Sequence, residues 1–354
     1  MTAGGLAIRL AESGRIPDIA VRLGIRRLIR QRLREEARHP LRRQELLAEL
    51  REGPISRESA RANEQHYELP AAFFEAVLGP RMKYSACYWS EDVDDLGAAE
   101  LAMLELVGER ARLTEGLRIL DLGCGWGSLS LWAAQRYPSS HVTAVSNSAS
   151  QKTYIDRRAA ELGVENLTTH TADVNDFKPA GVFDRVISVE LFEHLRNYES
   201  LLERINSWLT PDGRLFVHVF CHRKLMYRFE DHGPGNWMGR EFFTGGIMPA
   251  SDTLPEFQGD LRLERQWHLN GRHYRDTARA WLGNLDRNRG VAGEALATRS
   301  ADLRRREIDR QIQRWRMFLM ACEELFGFSN STEWEVCHYL FTPRVEPPGD
   351  GEHV

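Results

Sequence analysis

The stretch VELFEHLRNY, residues 189–198, sets two carboxylates and an imidazole, Glu190, Glu193 and His194, within five consecutive positions directly after the apolar, β-branched run FDRVIS. Carboxylate and imidazole together can move a proton near neutral pH and can hold a developing positive charge. If residues 190–195 turn as a helix, Glu190 and His194 stand at i and i+4 and share a face, whereas Glu193 points elsewhere and reads as structural. Such groups are useful only at a ligand pocket, so the surrounding elements decide their worth.

Five short apolar segments, RILDLG (118–123), HVTAVS (141–146), NLTTHTA (166–172), DRVISV (184–189) and GRLFVHVF (213–220), alternate with helix-like stretches such as SLSLWAAQRY and ASQKTYIDRRAAELG, which ends on Gly163. The alternation predicts an α/β fold: a parallel sheet with crossover helices, binding ligands outside the carboxyl ends of its strands. The turn DLGCGWGS closes the first strand. Its G-x-G-x-G spacing departs from the dinucleotide pattern G-x-G-x-x-G, and Ser146 and Asn147 stand where a dinucleotide site keeps an acid. It fits S-adenosylmethionine better, with Asp121 accepting hydrogen bonds and Gly123 and Gly125 letting the backbone approach the ligand. Asp173, in TADVNDF after the third strand, falls where folds that bind this cofactor hold the adenine with a carboxylate, the neighbouring Val174 packing on the ring. Alone, Asp173 would read as an acid in a solvated loop.

Composition narrows the class. The 354 residues are 42% hydrophobic and 28% charged, with a net charge of −4, as in a globular protein with one large domain and an appendage. No apolar run approaches the roughly 20 residues of a spanning helix, and the N-terminus lacks a secretory-signal pattern. A cytoplasmic setting is expected. Cys87, Cys124, Cys221, Cys322 and Cys337 show no paired spacing, so neither a disulfide framework nor a metal site is read from them. Residues 22–43 are crowded with arginine, and Leu23, Ile25, Leu28, Ile29 and Leu33 recur at near-helical spacing. A solvated helix packed on the main domain is favoured over one lying on an anionic membrane, and Pro40 and Pro54 bound short helices. Nucleic acid is not an expected partner, since the charge is acidic and no reading motif occurs.

From about His66 to Phe341 the chain resembles the cyclopropane-fatty-acid synthase superfamily of methyltransferases. The landmarks HYELP, MKYSACYW, ILDLGCGWGS, VSNSASQ, FEH, GGIMP and HYRDTARAW occur in order. Within it the sequence is most similar to the coclaurine-type N-methyltransferases, through YELP, SNSASQK, VELFEH, CHRK, FFTGG and ELFG. The resemblance implies a Rossmann-like class I methyltransferase sheet with a helical cap after the fifth strand, over about 222–330. The implied division is an Arg-rich helical segment (1–60), a catalytic domain (61–345) and a frayed tail (346–354). It implies S-adenosylmethionine as cofactor and S-adenosylhomocysteine (SAH) as product, with contacts at Tyr67, Ser85, Asp121, Gly123, Gly125, Asn147, Gln151, Asp173 and Val174.

Two branches of this superfamily do different chemistry. Cyclopropanases hold a bicarbonate base, and its ligands include a cysteine directly after YS, where this chain has Ala86 and only then Cys87. Where they commonly carry glycine, three residues before the FEH glutamate, this chain has Glu190. Glu193, His218 and Tyr274 still match bicarbonate-site positions. Methylation of a small, partly apolar amine is therefore favoured over cyclopropanation of a phospholipid acyl chain, and bicarbonate belongs to that alternative alone. His194 would accept the ammonium proton, Glu190 would orient it or stabilise the cationic nitrogen, and Glu68 would reach in from HYELP. Tyr88, Trp237, Phe242, Phe243 and Tyr274 are candidates for enclosing the amine, although core packing is the simpler reading for most of them. Membrane contact and a homodimer stay open. Glutamate at the first position of ELFEH breaks the H-x-x-E-H zinc pattern, and Cys322 reads as core.

Overall fold

The structure, a computed structural model, describes residues 3–56, 69–230, 233, 236–299 and 304–344. Tyr67, Glu68 and the tail at 346–354 lie outside the described residues. The five predicted strands are present as β1 (Arg118–Leu122), β2 (His141–Ser146), β3 (Leu167–Thr171), β4 (Phe183–Val189) and β5 (Leu209–His222). The cap region adds the short strands β6 (Tyr227–Arg228) and β7 (Ile247–Met248), which pair with each other. Two further strands follow, β8 (Leu261–Asn270) and β9 (Trp334–Pro343), and they extend the main sheet.

The main sheet has the order β3-β2-β1-β4-β5-β9-β8. Neighbours among β1 to β5 run parallel, and β9 runs antiparallel to both β5 and β8. This is the class I methyltransferase arrangement, with two more strands than the sequence reading assigned. β9 is buried along nearly its whole length, Glu335 and His338 included, whereas β8 is an edge strand whose charged residues obscure its alternation.

Because successive residues of a strand face opposite ways, the sheet feeds two cores. Ile119, Ala144, Ile187, Phe216 and Leu340 pack on one side, Leu120, Val145, Val186, Val217 and Tyr339 on the other. The predicted crossover helices are Ser128–Arg136 and Ala149–Glu161. The segment between β5 and β9 is a mixed insertion, since β8 lies within it beside the helices Arg272–Arg287, Arg289–Ala297 and Arg305–Phe326.

The arginine-rich segment is packed on the cap. The Asp18–Arg38 helix buries Val21 and Ile29, but Leu23 and Leu28, expected on its apolar face, are exposed. Its arginines pair with cap acids: Arg22 with Glu323 at 2.6 Å and Glu324 at 2.9 Å, Arg26 with Glu324 at 2.5 Å. Glu12, buried in the preceding helix, accepts from Trp237 Nε1 at 2.9 Å and from Arg310 and Arg314. On the other side Leu46, Leu50 and Ile55 join the second core. Replacing Glu12 by alanine leaves these three donors without their shared acceptor, and a loss of about 2 kcal/mol is expected, less than for a fully enclosed pair because the arginines reach solvent. Urea unfolding checks it; an unchanged midpoint would show that the attachment does not depend on Glu12.

Candidate active site

The carboxyl ends of β1, β2, β3 and β4 open into one cavity lined by Ser85, Asp121, Gly123, Gly125, Asn147, Gln151, Asp173, Val174, Glu190 and His194. Every described residue predicted to contact a cofactor is therefore at one place. Local backbone chemistry explains why. Gly123 has φ +83°, and a Cβ there would come within 3.0 Å of Leu191. Gly127 has φ +78°, and a Cβ there would meet Ile155 at 2.6 Å. The turn thus stays tight against the β4 loop and the following helix, leaving its open side to a ligand. Asp121 accepts from the Ser130 hydroxyl at 2.5 Å, and burial pushes its carboxyl up to about 6 against that bond. Asp173 accepts from both the backbone and side-chain nitrogens of Asn175 at 2.8 Å, which shapes the loop after β3.

Three buried polar atoms of cavity-lining residues, Gln151 Nε2, Trp126 Nε1 and Ser128 Oγ, have no hydrogen-bond partner among the described residues. Buried donors are rarely left unpaired, so this set fits a polar cofactor. Trp126 and Ser128 were not singled out from the sequence, although they sit inside the glycine motif. Lys83, buried with its amine 2.5 Å from Ser85 Oγ and 2.7 Å from the Ala86 carbonyl, was also missed. A lone lysine in MKYSACYW carries no pattern.

Glu190 stands directly after β4 with φ +50°, a left-handed conformation that costs a non-glycine residue about 1–2 kcal/mol. The anticipated helical turn over 190–195 is instead a 3-10 turn confined to Phe192–His194. Glu190 and His194 still line the same cavity, brought there by the left-handed residue and not by i,i+4 spacing. Glu190 Oε1 accepts from the Ala86 backbone N–H at 2.8 Å and lies 3.2 Å from His218 Nε2, while Oε2 accepts from the Tyr274 hydroxyl at 2.7 Å. His194 stacks on Phe243 at 4.6 Å. Glu193 is fully buried and accepts from the Phe220 N–H at 2.8 Å. Burial and the neighbouring Glu190 charge push its carboxyl well above the usual range, and it does not line the cavity, so it reads as a packing group.

The cap aromatics divide. Tyr274 and Phe243 touch Glu190 and His194, respectively. Trp237 is bonded to Glu12, Phe242 stacks on Phe318 at 4.5 Å, and Tyr88 stacks on His273 at 4.5 Å, so these three are packing residues. The bicarbonate positions do not fit a bound anion: Ala86 N–H, His218 and Tyr274 all converge on the Glu190 carboxylate, which takes up the donors an anion would need. Burial pushes the Cys322 thiol up to about 12, in keeping with a core residue. Away from the cavity, Cys221, Glu335 and Cys337 come within 4.8 Å of one another on adjacent strands, a grouping that linear spacing could not reveal.

Residues 55–336 match the family described as mycolic acid cyclopropane synthetase. The chain belongs to that family. It is 36% identical over 344 residues to the (S)-coclaurine N-methyltransferase of Thalictrum flavum subsp. glaucum, covering 95% of each chain. The crystal structure of a coclaurine N-methyltransferase bound to N-methylheliamine and SAH superposes with a TM-score of 0.90 at 35% identity, covering 95% of this chain and 98% of that one. The cyclopropane-fatty-acyl-phospholipid synthase of Escherichia coli (strain K12) is 32% identical over 219 residues, 61% of this chain and 54% of its own.

Two outcomes follow from the geometry. Asp121 ordinarily titrates near 3.8 but near 6 when folded, so between those values the folded chain keeps a proton that the unfolded chain has released. Stability of the ligand-free protein should therefore fall as pH rises through that window, by on the order of 3 kcal/mol. Asp121→Asn, which keeps an acceptor for Ser130, should lack this slope; parallel slopes in urea titrations at several pH values would refute the assignment. Glu190→Gly relieves the left-handed strain and vacates three donors. Added formate should raise the melting temperature of E190G and leave the parent unchanged, and an equal response of both would mean that the donors do not form an anion cradle.

Proposed function

We propose that this chain, an S-adenosylmethionine-dependent methyltransferase of the cyclopropane synthetase family, transfers the methyl group to the nitrogen of a small, partly apolar amine. The observation that carries this reading is the Glu190 carboxylate seated on Ala86, His218 and Tyr274. A cyclopropanase needs a mobile base there; an amine methyltransferase needs a fixed anion beside a nitrogen that becomes positive. The 36% identity to an (S)-coclaurine N-methyltransferase across 95% of both chains supports the same choice.

S-adenosylmethionine, when bound, supplies a methyl group on a sulfonium for in-line displacement. The chain's own residues do the rest. Asp121, Asn147, Gln151 and Asp173 hold the cofactor's polar ends, the unpaired Gln151 and Trp126 donors take up its acceptors, and Val174 packs on the adenine. His194, fixed against Phe243, accepts the proton that an incoming ammonium must lose to expose its lone pair. Glu190 stabilises the positive charge on nitrogen as the new bond forms. Phe243 and Tyr274 add ring faces beside the cation. Proximity supplies much of the remaining rate, because two bound reactants need no further ordering.

No helix among the described residues is long and apolar enough to cross a membrane, and the cysteines are free thiols. We place the enzyme in the cytoplasm. Pairing of the N-terminal arginines with Glu323 and Glu324 favours docking on the cap over lipid binding.

The decisive test supplies S-adenosylmethionine with a fully deuterated methyl group to a panel of apolar amines and, separately, to unsaturated phospholipid. N-methylation retains all three methyl deuterons on an amine, and Glu190→Gln should lower that rate about a hundredfold while leaving cofactor affinity unchanged. A lipid product that has lost one deuteron would overturn the reading.

A further inference from the structure

Glu190 is the end of a file of hydrogen bonds that runs away from the cavity into the protein. Arg110, the last residue of the Leu96–Arg110 helix, places Nη1 2.8 Å from His338 Nδ1. His338 Nε2 lies 2.9 Å from His218 Nδ1, and His218 Nε2 lies 3.2 Å from Glu190 Oε1. His218 and His338 are directly paired across the antiparallel strands β5 and β9, so their rings share a face, and both are fully buried.

The direction of this file is dictated by one group. A guanidinium only donates, so His338 Nδ1 must accept. A neutral His338 then carries its proton on Nε2 and donates to His218 Nδ1. His218 in turn carries its proton on Nε2 and donates to Glu190. A second proton on either ring would set N–H against N–H, and a proton on Glu190 Oε1 would set O–H against the His218 N–H. Burial pushes both imidazoles below their usual range, in His218 against the pull of Glu190, and Lys83 and Arg110 add to it, which suits the neutral rings that the file requires.

We propose that Arg110 and His338 are positioning residues for Glu190, locking His218 as a neutral Nε2–H donor and so holding Glu190 as an anion that exchanges no proton with the interior. Protons released at the acceptor nitrogen therefore leave by way of His194. The other titratable groups around Glu190 agree with this state. Burial pushes the Lys83 amine down, against Glu190 and Glu100, which pull it up; burial pushes the Glu193 carboxyl up, and the Cys87, Cys322 and Tyr274 side chains are pushed up, away from ionisation. The inference rests on Glu190 facing the reacting amine, but the lock itself does not need that reading.

The experiment therefore has two arms. On the ligand-free, full-length protein labelled with ¹⁵N-histidine, NMR reads the tautomers of His218 and His338, assigned by single replacements. The parent should show both rings neutral with the proton on Nε2. Arg110→Met should let both rings populate the Nδ1–H form, while His338→Gln, whose amide can accept from Arg110 and donate to His218, should preserve the state of His218. In the second arm, the acid limb of the kcat/KM profile for an accepted amine should move up by about one pH unit in R110M and H338L, with about a fivefold loss at the original midpoint, whereas H338Q keeps the parent profile. Binding of S-adenosylmethionine at parental affinity certifies that each variant is folded. Unchanged tautomers in R110M would overturn the lock. Unchanged profile shapes in R110M and H338L, with only a lower kcat, would show that the file merely packs. If the parent methylates no amine, the proposed reaction fails and the NMR arm still decides the lock.

Discussion

A carboxylate held by three donors from three distant parts of the chain is the constraint on which this site turns. Ala86 comes from the loop before the Leu96–Arg110 helix, Tyr274 from the cap and His218 from β5, and all converge on Glu190. The left-handed backbone of Glu190 costs about 1–2 kcal/mol. Hydrogen bonds to a charged group contribute roughly 1.5–3 kcal/mol each, so the three together outweigh the strain. The carboxylate is therefore held in this geometry only where cap and sheet are both in place, which couples the shape of the site to the docking of the insertion.

That docking depends in turn on the N-terminal helices. Glu12 joins Trp237 to Arg310 and Arg314, and the helix that begins at Trp237 leads to Phe243, which stacks on His194. A segment far from the cavity thus helps to position His194. Arg22 and Arg26, two of the arginines that suggest a membrane surface when read along the chain, are cross-links to Glu323 and Glu324, acids some 300 residues away.

Comparison within the family is informative at Glu190. The cyclopropanase branch is expected to keep glycine there, the residue for which a positive φ costs nothing. This chain accepts strain at that point and supplies a carboxylate from its own side chain. The balance between stability and activity at this position is a local one, with strain stored where function needs it.

The cofactor side of the pocket was legible from sequence because it is made of local features. A glycine turn, a polar residue at the end of the next strand and an acid after the third each follow an apolar run of recognisable period, and the backbone rules governing them act over a few residues. Glu190, Glu193 and His194 were legible for the same reason, although their geometry was not: a left-handed residue and a 3-10 turn leave no periodic trace, so a helical face was expected. β8 and β9 escaped because one is charged along an edge and the other follows the cap. What the linear order could not contain is the pairing of His218 with His338, Arg110 with His338, Tyr274 with Glu190 and Glu12 with Trp237. These contacts join groups separated by 84 to 228 positions, and their energies depend on burial and direction that arise only when the sheet has closed and the cap has packed on it.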